Sequence, residues 1–353
     1  MGKLGPKELE AVIRCIKRSY TTVVPPKVGF DSGVHRILGD HCLVVSTDPC
    51  LGVPKPWFGW LLIHYAASDV AVSGAEPRYC TVNLLGSPGT STRLFQNVMM
   101  KACKAARELH MQIVAGHTGR YEGLDDLVGV CTAYGFTSLR ELRTPGDVTP
   151  GDSILCTKPL GLETLVTFAH VRRDLAKKLF GKSRAAQLSR KFQFQSCVKE
   201  AIALSKMPEV HAMHDAAEGG LVSALNDMAE ASHVGFSLDF ARIAIPRDIH
   251  ALVRQFRLSG DELMSMSSTG TLVVALKTGA EKMVLRRLSE MKIPARIVGT
   301  FCEGERRVIK DHLERPFPRK AQDPFQKICR LAGHVIRHAH VGQNQIGATK
   351  LAS

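Results

Sequence analysis

Four aspartates stand among neighbours that would not ordinarily leave a charge unpartnered. Asp31 lies in a glycine-flanked turn, KVGFDSGVH. Asp48 ends the β-branched run CLVVSTDP. Asp69 is enclosed by small and apolar residues in HYAASDVAVSGA, and Asp215 precedes the Gly219–Gly220 pair in HAMHDAAEGGLVSALNDMAEAS. A buried carboxylate is costly unless it is paired or holds a metal. Carboxylate oxygens are the hard ligands that Mg²⁺ takes, and Mg²⁺ in turn binds phosphates. The glycine pair points the same way. Two glycines in a first helical turn cost about 1 kcal/mol each relative to alanine, whereas a glycine-rich helix entrance lets free N–H groups and a favourable dipole approach a phosphate. AGHTGRYEG (115–123) supplies a second glycine loop at a strand end.

Each feature has a plainer explanation. Asp215 could be an N-cap with Glu218 completing a capping box, which accounts for the acids but not for the two glycines. Asp48-Pro49 could be a strand-ending turn, and Asp31 an Asx turn. His211 and His214 form His-x-x-His, but no further ligand stands near them in the sequence, so no metal is expected there. The chain has no Walker sequence, no Gly-x-Gly-x-x-Gly and no Gly-x-Ser-x-Gly.

The elements that must position these residues are legible in part. Strands are expected at 42–49, 78–86, 111–119 and 126–136, and helices at 61–74 and 91–110. The segment 140–153, RELRTPGDVTPGDS, has two Pro-Gly-Asp turns and is the best domain boundary. After it come the strand SILCTKP, helices over much of 162–207 and the helix that follows Gly219–Gly220. GFSLDFARIAIP then reads as a strand turning into a helix, and strands at 270–277 and 295–304 flank a helix at 279–292. The order is mixed, which indicates two α+β domains. The expected division is 1–148, 149–312, and a basic C-terminal helix and tail over 313–353.

The 353 residues give room for two cores. No apolar run is long enough to cross a membrane, and the basic N-terminus lacks a signal core. It reads as an amphipathic helix of a cytoplasmic protein. The ten cysteines include no Cys-x-x-Cys pair, so no structural zinc is expected. Cys42, Cys131 and Cys156 sit in apolar runs and read as buried thiols of a reducing compartment. A net charge of +14 would suit nucleic acid or small anions. The basic stretches 171–193 and 304–340 lack the interleaved aromatics of a single-strand binder, so a solvated basic surface is preferred to nucleic-acid binding.

Taken in order, GFDSGV, VVSTDP, ASDVAVSGAEPRY, VAGHTG, PGDSILCTKPLGLET, HDAAEGGLVSALNDMAEAS and STGTLVVAL resemble the aminoimidazole ribonucleotide synthetase superfamily. The nearest branch in tone is that of the hydrogenase maturation carbamoyl dehydratase-like, synthetase-related proteins. The resemblance implies a two-domain α+β synthetase-like fold whose N-terminal domain pairs into a barrel across a homodimer. It implies ATP and Mg²⁺ as cofactors, with Asp48, Asp69 and Asp215 holding metal and phosphates. Gly29, Asp31 and Ser32 would belong to the nucleotide-covering loop. Gly116, His117 and Thr118 would line the site, as would Gly219 and Gly220, and His117 and Asp215 are the candidates for a catalytic role. The sequence departs from the pattern in three places. Phe30-Asp31-Ser32 replaces paired acids, Ser68 stands where asparagine is usual, and Ala217-Glu218 replaces a more basic or hydroxyl-bearing pair.

The expected function is therefore ATP- and Mg²⁺-dependent phosphoryl transfer that activates an oxygen of a small polar substrate. One alternative is a nucleotide-binding maturation or regulatory protein without turnover, which the missing acid beside Asp31 favours. Another is a hydrogenase maturation-like protein. That branch uses a C-terminal cysteine as carbamoyl acceptor, but here the chain ends GQNQIGATKLAS and the nearest cysteine is Cys329. The maturation reaction by that route is not expected, and residues 341–353 are expected to form a mobile tail.

Overall fold

The structure, a computed structural model, describes residues 4–329. The tail expected at 341–353, and the part of the expected C-terminal helix that lies beyond Cys329, fall outside the described residues. The fold is two-domain α+β, built on two mixed sheets.

The first sheet contains β1 (Thr22–Val24), β2 (Gly33–Leu38), β3 (His41–Cys50), β4 (Glu76–Gly86), β5 (Gln112–Arg120) and β6 (Val128–Ser138), in the order β1-β2-β3-β6-β4-β5. Only β4 and β5 run parallel. Burial along β3 alternates, so Cys42, Val44, Ser46 and Asp48 share one face. The helices Phe58–Val72 and Thr92–Glu108 accompany this sheet. The first buries every residue except Tyr65, as a helix packed on all sides must. The two helices approach closely at Gly59, where a Cβ would lie 2.1 Å from the Val98 carbonyl oxygen. The sheet is open in the single chain, with β1 and β5 at its edges.

The second sheet contains β7 (Ser153–Thr157), β8 (Val210–Asp215), β9 (Gly235–Asp239), β10 (Leu272–Leu276), β11 (Ala295–Cys302), β12 (Arg306–Lys310) and β13 (Leu313–Pro316), in the order β13-β12-β9-β11-β7-β10-β8. β7 and β10 are buried at every position. Here one expectation is corrected. Residues 313–316 do not begin a helix; they pair with β12, Lys310 opposite Leu313. The cause is the turn between them: Asp311 and His312 have φ of 51° and 63°, the two positive values a tight two-residue hairpin needs.

The two halves share a core. One hydrophobic cluster joins the Phe58–Val72 helix and the first sheet to Val198, Ala201, Leu204, Leu272 and Val274 of the second half. A polar network crosses the same junction. Lys158 is buried, 2.5 Å from Glu200 Oε1. Its Nζ also donates to the carbonyls of Phe194, Ser196 and Gly270. His64, stacked on Trp60, lies with Nδ1 2.7 Å from Ser196 Oγ. Among the described residues no helix is long and apolar enough to cross a membrane.

Candidate functional site

The strand alternation that turns Ser46 and Asp48 inward aims them at the Phe58–Val72 helix. Ser46 Oγ donates to Asp69 Oδ2 at 2.7 Å. Ser32 Oγ donates to the Asp69 carbonyl at 2.9 Å, which pins the loop that carries Asp31. Gly29, at φ 79°, lets the same loop pass against the helix Gly220–Ala231, since a Cβ there would come within 3.2 Å of Asp227. From the second half, β8 delivers His214 and Asp215 at its C-terminal end.

Burial pushes the Asp69 carboxyl well above the usual carboxylate range. The charges of Asp48, Asp31 and Asp215 push it further, and the Ser46 hydrogen bond only partly opposes them. Four acids from four separate segments thus converge on one interior. His214 lies among them, its Nε2 3.4 Å from Asp31 Oδ2 and 3.7 Å from Asp227 Oδ2. Its Nδ1 is 2.7 Å from the Asp215 carbonyl oxygen. A carbonyl only accepts, so Nδ1 carries the hydrogen and neutral His214 presents a lone pair at Nε2. Burial works against charge on this imidazole, but Asp31, Asp227 and Asp215 together raise its pKa. Asp31 Oδ2 and His214 Nε2 are both buried without a hydrogen bond.

Asp31, His214 and Asp215 each offer a ligand atom, all within 4.8 Å of one another. The two histidines of His-x-x-His do not act together; His214 alone stands beside two carboxylates that the sequence places far from it or does not link to it. Residues three apart on a strand face opposite sides, so the two histidines part company. His211 pairs with Asp152 at 2.9 Å, while His214 joins Asp31 and Asp215.

The helix entrance is also corrected. Asp215 is the last residue of β8, and the N-cap is Gly219, so Asp215 and Glu218 form no capping box. Gly219 and Gly220 have φ of 79° and 55°, and a Cβ on Gly220 would lie 2.4 Å from the Met266 carbonyl oxygen. The Gly219 N–H donates to Asp323 Oδ2 at 3.1 Å, and Ser267 Oγ donates to the same oxygen. Left-handed backbone and close packing account for both glycines, and the N–H expected to meet a phosphate already serves Asp323.

Gly116, His117 and Thr118 belong to β5 itself rather than to a loop beyond it. Asp48 pairs with Cys131, Cys131 with Val82, and Val82 with Gly116. At roughly 4.8 Å per strand this places Gly116 about 14 Å from Asp48. The single chain does not bring His117 to the acids; its Nε2 contacts the Tyr121 hydroxyl.

One acid escaped the sequence reading. Glu163 opens the helix Leu162–Val171 and takes a 2.5 Å hydrogen bond from Thr269 Oγ1. Burial raises its pKa to about 7; the Thr269 hydrogen bonds oppose this, while Asp323 and Asp215 add to it. The Tyr65 phenol is raised by desolvation first, then by Glu163, Cys50 and Asp48, so these groups share the interior. The only hint in the sequence is a lone charge, the glutamate of LETLVTFA, in a largely apolar stretch. A pKa raised from 4.5 to about 7 means that folding binds a proton. The associated stability is complete below about pH 4.5 and is lost as pH rises through about 7, on the order of 3 kcal/mol. Glu163→Gln should therefore flatten the fall in melting temperature between about pH 5 and about pH 8. Parallel wild-type and variant curves would contradict this.

A basic cleft of about 1030 Å³ adjoins the acids, lined in part by Arg18, Lys27, Phe30, Arg140, Arg143 and Lys206. Phe30 and Arg143 also line the narrow gap beside Asp31 and Ser32.

Residues 29–137 match the N-terminal domain of AIR synthase related proteins, and residues 149–312 match the C-terminal domain. A hydrogenase expression/formation protein of Methanocaldococcus jannaschii is 24% identical over 350 residues, 92% of this chain and 97% of the relative. The carbamoyl dehydratase HypE of Escherichia coli is 27% identical over 301 residues, 82% of this chain and 85% of the relative. A crystal structure of HypE in complex with ATP shares the fold, with a TM-score of 0.66 at 20% identity over 85% of this chain and 90% of that one.

Proposed function

The chain belongs to the AIR synthase related family, and from that premise we propose an ATP- and Mg²⁺-dependent enzyme that phosphorylates an oxygen of a small polar substrate. The observation that carries this reading is the convergence of Asp31, Asp48, Asp69 and Asp215 on one interior, where burial and the other three charges push the Asp69 carboxyl up. The oxygen donors suit a hard dication, and the Nε2 lone pair of His214 extends the set to Mn²⁺. Mg²⁺ supplies neutralisation of the charge on the transferring phosphoryl group.

The residues of the chain do the rest. Asp31, Asp48, Asp69 and Asp215 hold the metal and orient the phosphates. Arg18, Lys27 and Arg143 of the adjoining cleft attract the nucleotide. Glu163, near neutrality at physiological pH, has the protonation balance a general base needs. Relatives named carbamoyl dehydratase and selenide, water dikinase support the reading, as does the structural neighbour solved with ATP. A hydrogenase maturation role through Cys329 is disfavoured, because that thiol is buried, its Sγ donates to the Thr164 carbonyl, and burial raises its pKa. ATP turnover tests the proposal. ADP release should rise when a panel of small carboxamides, phosphate esters and oxyanions is added with Mg²⁺. Nucleotide binding without ADP release from any of them would favour the second reading, a binding protein without turnover.

The domain boundary is placed at 148/149, with residues 1–148 as the nucleotide-binding and dimerising half. Dimerisation would bring Gly116, His117 and Thr118 of one chain to the acids of the other. Its basis is the exposed face of the first sheet, where Tyr79, Val114 and Phe136 are each more than two-fifths exposed. Such apolar surface ordinarily marks an interface. Light scattering should give about twice the 38.6 kDa chain mass, and Val114→Asp should halve it. A wild-type monomer at micromolar concentration would contradict the dimer.

A further inference from the structure

A second cleft lies away from the acids, in the C-terminal half. It has a volume of about 720 Å³ and opens between the 240–246 loop and the start of β11. Its walls are apolar: Phe240, Ile243, Ile245, Pro246 and Pro294. A smaller inner chamber continues from it, sharing Cys156, Ile243 and Arg296 and ending at Leu160, Leu221 and Val298. Backbone hydrogen bonds fix the walls, from Lys158 N to Pro294 O at 2.7 Å and from Leu160 N to Ala244 O at 3.0 Å. The cleft is therefore pre-formed, and its size is in the range of small-molecule sites.

Charge at the mouth has one sign. Arg296 and His250 line it, and Lys310 lies 5.1 Å from the Phe240 ring. Arg296 is exposed and makes no side-chain hydrogen bond or ion pair with the described residues. Neither part of the cleft is lined by a carboxylate. The nearest acid on the loop, Asp239, is engaged by Arg242 at 3.0 Å and by the Ala241 N–H. The cleft has no acid cluster for a metal and no glycine-rich amides for a polyphosphate, so a second nucleotide does not fit its chemistry.

We infer that this cleft is a second ligand site, for a small amphiphilic anion: an acyl or aryl carboxylate whose apolar body fills the cleft and whose head group meets Arg296. The inner end touches elements that set the acid cluster. Thr271 lines it, and the Thr271 carbonyl accepts from the N–H of Ala216, the residue after Asp215. Leu221 opens the first turn of the helix that follows. A ligand in the outer cleft therefore does not compete for the ligand of Asp215.

The test uses the full chain, with anilinonaphthalene sulfonate as fluorescent probe and sodium decanoate as competitor. Decanoate should displace the probe at a single saturable site, and saturating MgATP should not. Arg296→Glu, a surface change that leaves the fold intact, should weaken decanoate by about tenfold or more. Ile243→Trp should fill the cleft and abolish displacement, and decanol should compete far less well than decanoate. Equal decanoate affinity in Arg296→Glu, equal competition by decanol, or displacement by MgATP would each overturn the inference.

Discussion

Asp69→Asn should sharply weaken Mg²⁺-dependent ATP binding while raising the melting temperature of the ligand-free protein. Asp69 is buried, and its pKa is raised by desolvation and by Asp48, Asp31 and Asp215. A carboxyl raised in the folded state stabilises the fold only while it is protonated, and that stability is lost as pH rises through the folded value. Holding the charged form in this interior, as metal binding requires, therefore costs stability when no cation is present. Asparagine keeps the shape and still accepts from Ser46, but it carries no charge to repel its neighbours or attract a dication. The expected changes are a loss of apparent MgATP affinity on the order of a hundredfold and a melting temperature higher by about 2–5 °C. Were Asp69 merely structural, the signs would reverse: lower stability, with binding kept in whatever remained folded. Nucleotide titration beside thermal melting of the same preparation decides between them.

Lys158→Met should be among the most damaging single changes away from the acids. Lys158 adopts a left-handed φ of 53°, a conformation a long side chain holds only where its surroundings demand it. Those surroundings are Glu200 and the three carbonyls of Phe194, Ser196 and Gly270. Methionine would leave Glu200 as a buried charge without compensation, at about 3–5 kcal/mol, and would strand three acceptors. Melting should fall by about 6 °C or more. Adding Glu200→Leu should recover much of the loss, because a buried ion pair is often replaceable by apolar residues while half of one is not. A single variant that melts with wild type would show that the network contributes little across the junction.

The pattern of what was legible in the sequence follows from the range of the interactions involved. Local periodicity sufficed for β3, β4 and the Phe58–Val72 helix, where alternation or continuous burial is written into adjacent residues. Asp31, Asp48, Asp69 and Asp215 were identifiable because each is a charge in an apolar or glycine-rich setting. His214 does not stand out in the sequence because its partner Asp31 is remote in the chain, and only strand alternation separates it from His211. Glu163 was missed because its burial and its contact with Thr269 are tertiary. The Gly219–Gly220 pair reads as a phosphate cradle because the sequence shows the glycines but not Asp323 or the Met266 carbonyl, which the fold places against them. β13 was missed because its hairpin turn is Asp-His rather than the Asn-Gly or Asp-Gly that signals such turns.

Calorimetric titration of MgATP into the wild-type protein, repeated with the divalent cation chelated, tests most directly whether the four carboxylates hold a metal–nucleotide complex. The expected result is one saturable site per chain, in the micromolar to millimolar range, that vanishes without the cation. Melting should rise with ligand as RT ln(1 + [L]/Kd), about 2.7 kcal/mol at a hundredfold excess over Kd. No heat and no melting shift at millimolar MgATP, with ADP and a non-hydrolysable analogue equally silent, would contradict it.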